Sequence, residues 1–142
     1  MEVLRITKAC EAGEEVSVMR VAIPMIPPSA NVLRRKYKHP MAYKRLREAW
    51  ERSLLYACGS AAACQELRRQ ADESRMRVLV TIFHAREFDS DNAVAGLKPV
   101  LDALKNLHFI KDDNLKWLDL RPVEQCHSRS EWQTVIEIEK AA

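Results

Sequence analysis

Asp89-Ser90-Asp91-Asn92, Lys98-Pro99-Val100-Leu101-Asp102-Ala103-Leu104 and Asp112-Asp113 carry the residue types that metal-assisted chemistry needs. Carboxylates two residues apart on an extended segment can converge on one hard cation, because Mg²⁺ takes oxygen ligands and keeps several waters beside one or two carboxylates. A third carboxylate returning from beyond a helix would complete the set. On a continuous helix at about 100° per residue, Asp91, Ala95, Lys98, Asp102 and Lys105 share one face, which sets Lys98 over the acidic segment. That combination suits phosphodiester hydrolysis. The metal would orient the phosphate and activate a water, and the lysine would neutralise charge growing on the phosphoryl oxygens. The plainer alternative is a set of solvated turn and cap residues, which is what an isolated Asp-x-Asp more often means.

Within the set the roles differ. Adjacent residues of an extended chain point opposite ways, so only one of Asp112 and Asp113 can face a metal while the other caps or bonds to backbone. Asp102 follows Lys98 by four residues and reads first as its helical ion-pair partner. Asn92 reads as a turn residue or helix starter that could position a carboxylate or a phosphate. The four histidines show no metal-ligand spacing, and Phe88, next to Asp89, is the aromatic expected to lie exposed near a substrate.

These groups need a scaffold. Val16–Ile23 is an apolar, β-branched run ended by Pro24, Pro27 and Pro28, and reads as a buried strand. Val3–Thr7 is a shorter strand, joined to it by a hairpin turn at Glu11-Ala12-Gly13-Glu14. From about Met41 the apolar spacing becomes helical through Leu46, Trp50, Leu54, Ala57 and Ala61, with a break at Gly59-Ser60 and a second helical stretch over Ala61–Ala71. Met76–Phe83 is apolar on both faces, as a central strand would be, and runs straight into Asp89. A helix follows over Asn92–Asn106 with Val94, Leu97, Leu101 and Leu104 facing inward, and Pro99 predicts a kink or split in it. Leu115–Leu120 and Trp132–Ile138 are the last strands, the second with Trp132, Thr134, Ile136 and Ile138 on its inner face. The order β, β, α, β, α, β, β predicts a single α+β domain, a mixed sheet of four to five strands with helices packed on it.

With 142 residues, 47% hydrophobic and 30% charged, the composition is that of one globular domain. No apolar run approaches the roughly 20 residues that cross a bilayer, and Met1–Arg5 lacks a signal peptide's apolar stretch, so a cytoplasmic protein is expected. Cys10, Cys58, Cys64 and Cys126 form no CxxC pair and read as reduced and structural. The net charge of +3 says little, whereas its distribution says more. Arg34, Arg35, Lys36, Lys38, Lys44, Arg45 and Arg47 crowd one segment with Tyr37, His39 and Tyr43, a block suited to phosphate binding, tempered by Glu48 and Glu51. Arg86 is the cation on the approach to Asp89.

Taken in order, Ile26-Pro27-Pro28-Ser29-Ala30-Asn31, Asp89-x-Asp91-Asn92 through Lys98-x-x-x-Asp102-Ala103-Leu104, and Asp112-Asp113 resemble the RusA-type Holliday-junction resolvases, small bacterial and phage endonucleases. The resemblance runs from about Val18 to the last strand. It implies a homodimer, dependent on Mg²⁺ (or Mn²⁺ in its place), that binds four-way DNA junctions and nicks two strands symmetrically. A two-fold dimer suits a two-fold junction. It also implies that Asp89, Asp91 and Asp113 hold the metal and that Lys98 is the catalytic lysine, with Asn92, Asp102 and Asp112 in support. Here the lysine stands seven residues after the second aspartate, where some members have four. The difference is close to one helical turn of about 3.6 residues. The turn before the aspartate pair is Leu107-His108 where members often have glycine, and histidine tolerates a left-handed turn. Two other classes remain open: a DNA-binding module without catalysis, and a nuclease for other branched DNA.

Overall fold

The computed structural model describes residues 3–9, 15–86 and 88–141, with side chains from residue 18 onward. Two antiparallel strands come first, β1 (Val3–Ala9) and β2 (Glu15–Ile23), paired as expected of a hairpin. Its expected turn, Glu11–Glu14, lies outside the described residues, as does Cys10. Three helices follow: α1 (Ala30–Lys36), α2 (Pro40–Cys58) and α3 (Ala61–Glu73). Next come β3 (Met76–His84), α4 (Ser90–Ala95), α5 (Lys98–Asn106), β4 (Leu118–Leu120), β5 (Glu124–His127) and β6 (Gln133–Lys140). They form a single α+β domain on one mixed sheet.

The sheet runs β1-β2-β6-β3-β4, with β5 also on β3. β6 lies antiparallel between β2 and β3, whereas β4 and β5 lie end to end, parallel to β3, along its other edge. Parallel pairing requires a crossover, and α4 and α5 supply it between β3 and β4. β3 is therefore central, with neighbours on both sides. Its two faces are unequal: Met76, Val78, Val80 and Ile82 are fully buried, whereas Arg77, Leu79, Thr81 and Phe83 are only half-buried on a face that no helix covers. The strand is central as expected, and only one of its apolar faces is core because the helices form a single layer.

That layer presses Trp50, Leu54, Leu67, Val100 and Leu104 against Val21, Ile23, Val80, Ile136 and Ile138. α2 starts at Pro40, whose missing N–H costs nothing in the first turn, and His39 Nδ1 caps it by accepting from the Met41 N–H at 3.1 Å. It stops at Gly59, where φ is 79°. Ser60 then caps α3 through the Ala63 N–H, so the break expected at Gly59-Ser60 is found.

Several expectations are corrected. The sheet keeps the expected breadth of five strand positions but fills the last of them with two strands, β4 and β5. β5 went unread because Glu-Gln-Cys-His is short, polar and without apolar alternation. Only Leu118–Leu120 of the Leu115 stretch is strand, and Leu115 is 84% exposed. Trp132 lies before β6 and is 60% exposed, so the inner face of that strand begins at Thr134. The basic block is spread over two helices: Arg34, Arg35 and Lys36 end α1, Lys38 sits in the connection, and Lys44, Arg45 and Arg47 belong to α2. Cys58, Cys64 and Cys126 form no disulfide, in keeping with the reduced reading. Among the described residues, no helix is long and apolar enough to cross a membrane.

Candidate active site

β3 ends at His84, and Phe88, the residue before Asp89, is held by a side chain from the parallel neighbour β5. Gln125 donates from Nε2 to the Phe88 carbonyl and accepts the Phe88 N–H at Oε1, both at 2.8 Å. This two-bond clamp fixes the orientation of the amide, so the 3.0 Å contact between Gln125 Oε1 and His84 Nε2 requires the histidine to donate there. The His84 ring meets Phe88 edge-on with centroids 5.0 Å apart. Phe88 is thus half-buried in a structural contact, and its expected exposure toward substrate is corrected.

Asp89 occupies the N-cap position of α4, its carbonyl accepting the Ala93 N–H at 2.9 Å. Its carboxylate makes no cap bond, so the role of cap once open to these acids is not taken up by Asp89. Asp91 stands in the first turn of α4 in place of capping it. Both carboxylates are exposed, and neither has a hydrogen bond or ion pair among the described residues. Asn92 is half-buried, and its carbonyl takes the Gly96 N–H at 3.0 Å.

The helix expected over Asn92–Asn106 is split. Pro99 has no N–H to offer the Ala95 carbonyl and its ring would clash there, so the chain tightens at Gly96-Leu97, where the Leu97 N–H bonds to the Val94 carbonyl at 3.1 Å. Gly96 is also required by packing. A Cβ there would overlap the Pro28 carbonyl oxygen, so only glycine lets the Pro27-Pro28-Ser29 segment lie against the α4–α5 junction. Ser29 caps α1 through the Val32 N–H, and α1 packs on α4. Two motifs far apart in sequence therefore meet at Gly96.

The split alters the surroundings of Lys98. Its Nζ lies over the Tyr43 ring, 5.5 Å from the centroid, and the Tyr43 hydroxyl donates to Asp102 Oδ2. Burial pushes the Tyr43 phenol well above its ordinary value, and the hydrogen bond to Asp102 adds to the effect. Asp102 is therefore tied to Tyr43, in place of the Lys98 ion pair expected from the four-residue spacing. Lys98 is not paired with Asp89 or Asp91 either, since the continuous helix that would have aligned them is broken. It instead faces a cleft of ≈ 490 Å³ that Arg34, Lys38, Tyr37 and Tyr43 also line.

At the other end of α5 the chain reverses. The turn there is a Schellman motif: the His108 N–H bonds to the Lys105 carbonyl at 3.0 Å and the Phe109 N–H to that of Leu104 at 2.9 Å. His108 holds φ 62° at the position that favours glycine, so the left-handed turn expected there is found on a histidine. Arg68 Nε donates to the Leu107 carbonyl at 2.8 Å and closes the cap. Asp112 is the aspartate of its pair that bonds to backbone, accepting the Asp113 N–H at 2.8 Å and pairing with Lys105 at 3.3 Å. Those two contacts, in that order, hold its carboxyl below the usual range, and Asp112 in turn raises Lys105. Asp113 is exposed beside them.

Among the described residues, no three His, Cys, Asp or Glu side chains are gathered closely enough to hold a metal ion. Asp89, Asp91 and Asp113 are therefore not gathered into a three-ligand group, and Asp89 and Asp91 offer two exposed hard oxygen donors two residues apart, where Mg²⁺ takes one or two carboxylates with waters. The basic residues divide in a similar way. Lys44 pairs with Glu48, Arg47 with Glu51, and Arg34 donates to Asn31 at 2.8 Å, whereas Arg35, Lys36, Lys38, Arg45 and Arg86 are exposed without an ion pair among the described residues. Gln125 and Gly96 help to build the candidate site without having been singled out from sequence, whereas Tyr43 had been named only as a member of the basic block. Gly96 alone left a usable signal, as a glycine inside an otherwise helical pattern. In comparisons with known proteins, no family model matches the chain and no curated protein matches it.

Proposed function

We propose that this protein is a Mg²⁺-dependent endonuclease of branched DNA that works in the manner of the RusA-type resolvases its motifs resemble, nicking four-way junctions as a homodimer in a bacterial or phage-infected cytoplasm. The observation that carries the reading is the Asp89–Asp91 pair: two exposed carboxylates without partners among the described residues, on a segment that Gln125 holds to the sheet. Unneutralised acids held in place are what a hard cation needs. Ala95, one helical turn beyond Asp91, lines the cationic cleft, so the pair and the cleft adjoin.

A metal at Asp89 and Asp91, Mg²⁺ or Mn²⁺, would polarise the scissile phosphate and activate its attacking water. Lys98, steadied over the Tyr43 ring, meets the phosphoryl oxygens from the side of the cleft. Asp102 acts through Tyr43, Asp112 holds the turn that carries Asp113, and Asp113 is the third acid of the motif that the family resemblance would assign to the metal. Arg35, Lys36, Lys38, Lys44, Arg45 and Arg86 supply contacts to the DNA backbone. That no three potential ligands are gathered among the described residues favours one second reading, a DNA-binding module without catalysis.

The test is incubation with a synthetic four-way junction, a fork and a linear duplex, each with and without Mg²⁺. Paired symmetric nicks confined to the junction and dependent on the metal are expected. Cutting of forks at the same rate would make it a broader branch nuclease, and tight binding with no nick in any substrate would replace the proposal with the second reading.

A further inference from the structure

We infer that the cleft between α1, the start of α2 and the α4–α5 junction holds an unstacked nucleotide from the branch point, and that this capture is how the protein tells branched from linear DNA. The inference rests on the DNA-nuclease reading above and adds to it the means of substrate selection. The cleft of ≈ 490 Å³ falls in the usual range for a small-molecule pocket, roughly 300–1,000 Å³. Its wall combines three cations, Arg34, Lys38 and Lys98, with two aromatic rings, Tyr37 and Tyr43, and no acidic side chain among the described residues lines it. Cations alone would suit any phosphate. Rings set among cations suit a base with its phosphate, because a nucleobase stacks on an aromatic face while its backbone is neutralised beside it.

Tyr43 is built as a fixed surface. Its hydroxyl is tied to Asp102, half-burial and that bond keep the phenol un-ionised, and Lys98 covers part of its ring. Tyr37, at the C-cap of α1, is half-buried and has no such tie among the described residues, so it is the ring left to take the base. A base in continuous duplex cannot reach such a cleft without breaking its pairing and stacking, whereas at a branch much of that cost has already been met. Lys98 belongs to both the cleft and the catalytic group, so a captured nucleotide would set the neighbouring phosphate beside the acidic pair.

The test uses binding in EDTA, which separates capture from cleavage. The probes are a four-way junction with 2-aminopurine at the crossover, the same junction with abasic residues at its crossover positions, and a linear duplex. Wild-type protein should change the 2-aminopurine fluorescence and bind the abasic junction about tenfold more weakly than the intact one. Tyr37→Ala should weaken intact-junction binding by about as much, leave duplex binding unaltered and show no further loss on the abasic junction, while Tyr37→Phe behaves as wild type. Equal binding of intact and abasic junctions by the wild-type protein overturns the inference whether or not the variant folds. If symmetric nicking in Mg²⁺ persists alongside that result, the nuclease reading stands and only the cleft's role falls. Base capture without any nicking in Mg²⁺ is the reverse case.

Discussion

The open face of the sheet and the start of α4 are both rich in charge, yet they treat it in opposite ways. On the sheet, Arg77 donates to Asp119 at 2.9 Å and reaches Glu139 at 3.8 Å, Arg121 approaches Asp119 at 3.9 Å, and Arg20 meets Glu137 at 3.5 Å. The Arg77 hydrogen bond holds the Asp119 carboxyl below its ordinary range. At α4 the carboxylates of Asp89 and Asp91 answer to nothing among the described residues. The hollow on the sheet face is even slightly larger than the Tyr37–Tyr43 cleft, ≈ 520 against ≈ 490 Å³, but Glu124, Glu137 and Glu139 line it together with its arginines. Size therefore does not single out a site. What distinguishes the two regions is whether charge is already neutralised, since only unneutralised charge has free energy left to give a ligand.

The sharpest way to break this contrast is to remove one acid from each region. Asp91→Asn should lower junction nicking by about 10²-fold or more in a Mg²⁺ assay, while its unfolding free energy stays within about 0.5 kcal/mol of wild type by urea titration. A nicking rate near wild type would strip the acidic pair of its role. Next in size is Gly96→Ala, which must push back the Pro28 carbonyl and should destabilise by roughly 1–3 kcal/mol in the same titration, with nicking impaired as the two motifs part. Gln125→Leu leaves the Phe88 amide and carbonyl and the His84 N–H without their partner. It should cost roughly 1–3 kcal/mol, at the lower end if water reaches the vacated groups, and loosen the approach to Asp89. Unchanged stability and activity would show that the clamp does not position the acid.

The smallest effect belongs to the sheet face. Asp119→Asn should cost about 0.5–1 kcal/mol at neutral pH, because a partly solvated pair is screened, and should leave nicking unaltered. The sign with pH follows from the depressed carboxyl. Its stabilisation is present above the unfolded value near 3.9 and is lost as pH falls through the lower folded value, so wild type and variant should converge in stability below about pH 4. A gap that persisted in acid would mean that the ion pair is not its source.

Much of the scaffold was legible because burial leaves a period in the sequence. Val78, Val80 and Ile82 alternate, Trp50 and Leu54 recur at a helical interval, and these residues are at 0–1% exposure in the core. Where burial leaves no period, the reading failed. β5 is a short polar strand on the sheet edge, and α1 shows a single buried residue, Ala30, too few to mark a stripe. The candidate site was legible as residue types and order, and the split at Pro99 follows from local backbone chemistry, whereas the left-handed turn at His108 was expected only from the family resemblance.

The sequence by itself determined which side chains could do chemistry, that a strand delivers Asp89 and that a broken helix follows Asp91. Each of these depends on neighbours within a few residues. Only the tertiary structure decided that Gln125 clamps Phe88 from 37 residues away, that Tyr43 stands between Lys98 and Asp102 across 59, and that Pro28 rests on Gly96. Side-chain partnership at such distances is set by how helices and strands dock, and docking is governed by the packing of the whole core, which no local pattern encodes.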